Sequence, residues 1–143
     1  MTQYRSGYRA AVKAAIASDP AFAGVTWLSA WAQKGITPAS LPVIGVATPG
    51  ERSKPASHGT FEKGTLLLVQ LKREGGADIE DLIDEDGAAI ERVVITALQT
   101  RGQQCLLEEI STSVNDEGAR RIGTVSASFR VTSWRALPTT QGE

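Results

Sequence analysis

The segment that decides the fold lies near the carboxyl end and reads Thr124-Val125-Ser126-Ala127-Ser128-Phe129-Arg130-Val131-Thr132. Apolar residues occupy every second position, and Ser, Thr or Arg fill the positions between them. Because successive side chains of a strand point to opposite faces, this alternation predicts a β-strand with one apolar face. A sheet with such a face needs other elements to cover it. The fold is therefore expected to be built on a sheet.

A second alternating segment precedes this strand, with Leu106, Ile110 and Val114 on one parity. The residues between the two segments, Asn115 to Gly118, are typical of a hairpin turn. Three earlier strands are predicted from their apolar and β-branched content. They cover Val25 to Trp31, Leu41 to Val46, and Phe61 to Leu71, and the last has leucines on both parities, as in a central strand.

Helical periodicity predicts two helices. Between Tyr4 and Ala17 the apolar residues recur at helical spacing, and Asp19-Pro20 ends that helix. A longer apolar stripe begins near Asp78 and ends before Arg101-Gly102, with acidic residues in its first turn. Gly87 interrupts this stripe and indicates a kink or a close packing contact.

The elements together predict an α+β fold in the order α-β-β-β-α-β-β. We expect an antiparallel or mixed sheet with both helices packed on one face. Residues 1–138 are expected to form a single domain, and residues 139–143 a disordered tail.

The segment from Thr48 to Gly59 is dense in Pro, Gly and Ser, and it predicts a long mobile loop. A loop of this length either connects two strands passively or becomes ordered on a partner. Four of its residues offer charged or titratable groups to such a partner, which makes them candidate interaction residues: Glu51, Arg52, Lys54 and His58.

A basic row on the first helix gives a second candidate surface. Its members are Arg5, Arg9 and Lys13, which lie four residues apart and therefore share one helix face. The acidic stretch from Glu80 to Glu85 on the second predicted helix carries the opposite charge. Charge rows of this kind also occur as solvated faces, and that interpretation stays open for both.

Composition argues against several classes of function. The 15 Lys and Arg against 16 Asp and Glu give a net charge of −1, without the basic excess of proteins that bind nucleic acid through phosphates. No apolar run reaches the roughly 20 residues that span a bilayer, and residues 1–11 contain no hydrophobic signal core, so we expect a cytoplasmic protein. The single cysteine, Cys105, is expected to be a buried apolar residue and not a reactive thiol.

Catalytic, cofactor-binding and metal-binding residues are not predicted. The one histidine, His58, lies in the predicted loop, where it is poorly placed for a catalytic triad or a metal site. The segment Gly45 to Gly50 has the spacing of a phosphate-binding loop, but Glu51 follows where a lysine is needed. The acidic run Asp78 to Asp86 lacks the spacing of a calcium loop and is expected to be a solvated helix face. We therefore expect a protein that is not an enzyme.

The whole chain resembles the tail terminator proteins of siphophages, the lambda-type minor tail protein U family. The resemblance covers about Tyr8 to Trp134. Its motifs are Tyr8-Arg9-Ala10-Ala11-Val12 on the first helix and the strand Leu41-Pro42-Val43-Ile44-Gly45-Val46, with Glu51 shortly after it. The order of the later elements is also similar.

This resemblance implies a structural assembly protein without a cofactor. In that family a hexameric ring caps the last ring of the tail tube, stops polymerisation and presents a face to the head. The implied partners are further copies of the chain, the tail tube protein and a head-tail connector protein, with no membrane and no sequence-specific nucleic acid. The implied location is the host cytoplasm during assembly and then the head-proximal end of the virion tail. A connector or head-completion protein, or a small ligand-binding domain, remain the alternatives.

Overall fold

The computed structural model describes residues 4–27, 41–117 and 120–136. In chain order the elements are α1 (Tyr4–Ser18), a 3₁₀ turn (Pro20–Phe22), β1 (Thr26–Trp27), β2 (Val43–Ser57), β3 (Thr60–Gly75), α2 (Ile79–Leu98), β4 (Gln103–Glu117) and β5 (Arg120–Ala136). The predicted α+β class and element order are confirmed. No helix in the described ranges is both long and apolar enough to cross a membrane.

The five strands form one sheet in the order β1-β2-β3-β5-β4. β1 runs parallel to β2, whereas every other neighbouring pair is antiparallel, so the sheet is mixed. The chain leaves β3, crosses the sheet as α2 and enters β4 at the far edge, and β5 then returns between them. This crossover places α2 over β5, β4 and β3.

The core lies between the sheet and the two helices, which cover the same sheet face. Val125, Ala127, Phe129 and Val131 of β5 are completely buried, which confirms the alternation that predicted this strand. Burial of each Val or Phe side chain among these stabilises the fold by about 1.5–3 kcal/mol. The helices contribute a matching set of buried residues, which includes Tyr8, Val12 and Ile16 of α1 and Ile79, Ile83, Ile90 and Val94 of α2.

The predicted mobile loop from Thr48 to Gly59 is wrong. Most of this segment is the second half of β2, which pairs with β3 as a long hairpin that turns at His58 and Gly59. Gly59 has φ 80°, the conformation that suits glycine in a tight turn. Pro49 and Pro55 are tolerated because this part of β2 lies at the sheet edge, where a missing N–H breaks no ladder bond. Register shifts near both prolines accommodate them.

The predicted parity of β4 is also wrong for one residue. A β-bulge lies between Leu107 and Glu109, and it shifts the alternation by one position. Ile110 and Val114 therefore lie on the helix side of the sheet, where they pair with Ala127 and Gly123. Leu106 pairs with Arg130 on the opposite side and is 53% exposed.

The acidic residues of α2 were predicted to form a solvated face, and this prediction is wrong for one of them. Asp86 is buried and forms an ion pair with Arg73 of β3, while Glu80, Asp81, Asp84 and Glu85 are exposed as expected. Of the two predicted roles for Gly87, close packing is confirmed. A Cβ at Gly87 would lie 3.3 Å from Val125 Cγ2 and 3.7 Å from Ile110 Cγ2.

Several predicted features fall partly or wholly outside the described residues. Of the strand predicted over Val25 to Trp31, β1 contributes Thr26 and Trp27, and Trp27 packs against the core. Trp31 and the predicted tail 139–143 lie outside the described ranges. Asn115 and Asp116 belong to β4, where they pair with Ile122 and Arg121 of β5, and not to the predicted turn, whose last residue, Gly118, lies outside the described ranges.

Candidate interaction surface

A cluster of polar side chains fixes α1 to the β2–β3 hairpin. The Tyr4 hydroxyl donates a hydrogen bond to Glu51 Oε1, and Thr65 Oγ1 donates to the same oxygen over 3.0 Å. Burial, followed by the hydrogen bond to Glu51, raises the pKa of Tyr4 to about 12. Glu51, predicted to face a partner, is therefore half-buried and engaged within its own chain.

The same cluster extends to the end of β5. Arg135 lies over the Tyr4 ring, with its guanidinium carbon 4.0 Å from the ring centroid, a cation–π geometry. Its Nη2 donates to the Tyr8 hydroxyl over 3.3 Å, and its Nε donates to Ser133 Oγ over 3.1 Å. The Tyr8 hydroxyl donates in turn to Ser133 Oγ over 3.2 Å. The cluster thus joins α1, β2, β3 and β5 at one end of the sheet.

The basic row of α1 lies toward β2. Arg9 Nη1 donates to Thr48 Oγ1 at the bulge of β2, so Arg9 contacts its own chain instead of projecting into solvent. Arg5 and Lys13 share the side of the helix that carries Arg9, and both are exposed. The row is therefore only partly available to a partner.

The second half of β2, at the sheet edge, also carries basic residues. Arg52 and Lys54 are exposed, and Lys54 Nζ lies 3.4 Å from Glu62 Oε2 in a weak surface ion pair. His58 is exposed at the hairpin turn, away from the α1 cluster. We name Arg5, Arg9, Lys13, Arg52 and Lys54 together the basic side.

An acidic surface lies at the opposite edge of the sheet. Glu80 and Asp84 occupy the side of α2 that continues to Gly87, and Gly87 packs beside Ile110 of β4. Glu108 and Glu109 are exposed at the bulge of β4 itself. We name these four residues the acidic side: Glu80, Asp84, Glu108 and Glu109.

A shallow groove crosses the sheet face that the described helices do not cover. Arg130 lies across it, because Gly64 has no side chain and lets the Arg130 stem approach the β3 backbone. Arg130 Nε is 3.2 Å from Glu108 Oε2, and its Nη1 donates to the Gly64 carbonyl over 3.4 Å. The groove is lined by Arg52, Ser53, Lys54, Glu62, Gly64, Glu108, Arg130 and Thr132. Two ion pairs lie within the groove, Lys54 with Glu62 and Arg130 with Glu108.

Cys105 is buried as predicted, and burial raises the pKa of its thiol to about 11. Within the described ranges, His, Cys, Asp and Glu side chains form no group of three that could hold a metal ion.

Sequence reasoning found the basic row but missed the partners that hold it. Tyr4, Thr65 and Arg135 were not singled out, because a tyrosine, a threonine and an arginine on three separate elements carry no local pattern. The one available signal was the pair of tyrosines at helical spacing, Tyr4 and Tyr8, whose rings contact edge to face with centroids 5.9 Å apart.

Comparison with known proteins gives a likeness in structure alone. No family model matches the chain, and no curated protein matches it either. A chain of the solved structure described as "Virion of native gene transfer agent (GTA) particle" superposes with a TM-score of 0.57. The match covers 92% of this chain and 100% of that chain at 12% sequence identity. The protein therefore shares its fold with a chain of that particle.

Proposed function

We propose that this protein is a structural component of a tailed-phage-type particle, and that it acts as the tail terminator. In this role its copies form a hexameric ring on the last ring of the tail tube, stop further polymerisation and provide the surface that joins the head. The observation that carries the proposal is the likeness over almost the whole chain to a chain of a gene transfer agent virion. The sequence resemblance to siphophage tail terminators supports it independently.

The surface of the molecule suits assembly. A closed ring with one rotation axis needs heterologous contacts, in which one patch of a subunit meets a different patch of its neighbour. The basic side and the acidic side are two such patches, and they lie at opposite edges of one sheet. Their opposite charges favour head-to-tail contacts over contacts between identical patches.

The proposed role requires no catalysis. Its partners are other copies of the chain, the tail tube protein and a head-tail connector protein. It is exercised in the host cytoplasm during assembly and then at the head-proximal end of the virion tail. The exposed hairpin turn at His58 is a candidate contact with the tube or the connector.

A head-tail connector or head-completion protein is the alternative, because a virion chain of the same fold could serve at either position. Electron microscopy of particles assembled without this protein separates the two roles. Loss of a terminator leaves tail tubes that exceed the normal length, whereas loss of a connector leaves tails of normal length that are not joined to heads. Normal particles in its absence would contradict both roles.

A further inference from the structure

The sheet has two lateral edges that no strand of the described ranges covers. At one edge, β1 pairs only with Val43 and Ile44, and no other described residue pairs with the outer side of β2. At the other edge, β4 pairs only with β5 along its inner side. Unpaired edges offer backbone N–H and C=O groups to another strand, and proteins usually protect them.

The protection differs between the two edges. β2 carries Pro49, Pro55 and Lys54, all of which discourage unspecific pairing. β4 extends from Gln103 to Glu117 without a proline or a lysine, and its one irregularity is the bulge before Glu109. A long edge of this kind is suited to a strand from a specific partner.

We propose that β2 of one copy pairs with β4 of the next, so that the sheet continues from copy to copy around the ring. This inference rests on the proposed function, because it identifies the contact that closes the ring. The partner is a second copy of this chain, since the exposed charges of the two edges have opposite signs. Arg52 and Lys54 lie on β2, and Glu108 and Glu109 lie on β4.

Strand direction is compatible with this contact. β2 is antiparallel to β3, β3 to β5, and β5 to β4, so β2 and β4 run in opposite directions within one copy. Rotation about the ring axis leaves the direction of each strand along that axis unchanged, so β2 of one copy and β4 of the next are also antiparallel. Antiparallel ladders form without a crossover connection, as separate chains require.

The prolines limit the length of the junction and help to set its register. Pro49 and Pro55 cannot donate to a ladder, so the junction uses the part of β2 between them, from Gly50 to Lys54, in which every second residue presents its N–H group to the outer edge. We place Arg52 of one copy opposite Glu109 of the next. In an antiparallel junction with this register, Lys54 lies opposite Leu107 and therefore beside Glu108, so that opposite charges meet along the junction.

The contact is tested with two charge-reversal variants, Arg52→Glu and Glu109→Lys. Each alone places like charges on the two edges of the junction, and we expect the concentration needed for half-maximal ring formation to rise at least about tenfold. Mixed in equal amounts, the variants restore opposite charges at every junction of a ring in which they alternate. The mixture should therefore form hexamers at nearly the wild-type concentration, as measured by light scattering and sedimentation.

Matched controls make the same changes of charge away from the edges. Arg92→Glu and Glu85→Lys, both at exposed positions of α2, should leave ring formation unchanged, alone or mixed. If Arg52→Glu and Glu109→Lys each form rings at the wild-type concentration, the proposed edge contact is overturned, although the proposed ring is not. A wild-type chain that stays monomeric at all concentrations and on isolated tails would overturn the proposed ring itself.

Cross-linking provides a second measurement that does not depend on the charge variants. Copies carrying Arg52→Cys are mixed with copies carrying Glu109→Cys and treated with a flexible bis-maleimide, while Cys105 remains buried in both. We expect covalent dimers that contain one copy of each variant and few that contain two identical copies. Equal amounts of all three dimers, or none in assembled rings, would contradict the contact.

Discussion

The Arg73 guanidinium grips the Asp86 carboxylate at two points, with Nε 2.7 Å from Oδ2 and Nη2 2.9 Å from Oδ1. This pair joins β3 to α2 on the core side of the sheet, and Asp86 is only 7% exposed. Planar two-point pairs are the strongest geometry available to arginine. The pair thus fixes the orientation of the helix that carries the acidic side.

Removing one partner of this pair should be costly. Arg73→Met leaves the Asp86 carboxylate buried without its cation, and we expect the free energy of unfolding to fall by about 2–4 kcal/mol. The double variant Arg73→Met with Asp86→Leu should recover much of that loss, because it removes the uncompensated charge. Urea denaturation measures both effects. Asp84→Leu on the exposed face is the control and should change stability by less than about 0.5 kcal/mol.

The neighbours Glu51 and Arg52 should respond very differently to the same substitution. Glu51→Ser removes the acceptor of the Tyr4 and Thr65 hydrogen bonds and should lower the free energy of unfolding by about 1–2 kcal/mol. Arg52→Ser changes an exposed side chain and should lower it by less than about 0.5 kcal/mol. Chemical denaturation of the two variants provides the comparison. Equal stability would show that the cluster does not hold α1 in place.

Tyr4 should make stability depend on pH in the alkaline range. Its pKa is about 12 in the folded chain and near the ordinary value of 10.0 in the unfolded chain. Between these values the unfolded state releases the phenolic proton first, so stability is complete below about pH 10 and falls as the pH rises toward 12. Tyr4→Phe should show a smaller decrease in melting temperature from pH 9 to pH 11. Identical slopes for the variant and the wild type would exclude this role.

Val93→Asp should unfold the protein. Val93 lies on the core side of α2 and is 5% exposed, so an aspartate there buries a charge without a partner. That cost is several kcal/mol against a total stability of about 5–15 kcal/mol. Thr96→Asp, one turn further along the same helix at an exposed position, should keep a cooperative melting transition. Circular dichroism distinguishes them, and a native melting curve for Val93→Asp would refute the assigned helix face.

The sequence by itself determined the elements whose apolar period is unbroken. The alternation through Val125, Ala127 and Phe129 specified β5 and its buried face, and the helical stripe from Ile79 to Val94 specified α2. These patterns are local, because a strand or helix must place its apolar residues on one side wherever it packs. The class of fold and the order of its elements followed from them.

Only the tertiary structure decided how the remaining segments are used. The stretch from Thr48 to Ser57 has the composition of a loop, and its residues have a low propensity for β-structure. It is nevertheless a strand, because β3 provides hydrogen-bonding partners for its backbone. The bulge before Glu109 places Leu106 on the sheet face opposite to that of Ile110. No local sequence pattern predicts this bulge. In the sequence, Glu51 and Asp86 are indistinguishable from solvated charges. In the structure both interact with side chains of distant elements and are at least partly buried. Pairing across a sheet joins residues that are far apart in the chain. Local composition therefore could not show which strands form the two edges that we propose to meet in a ring.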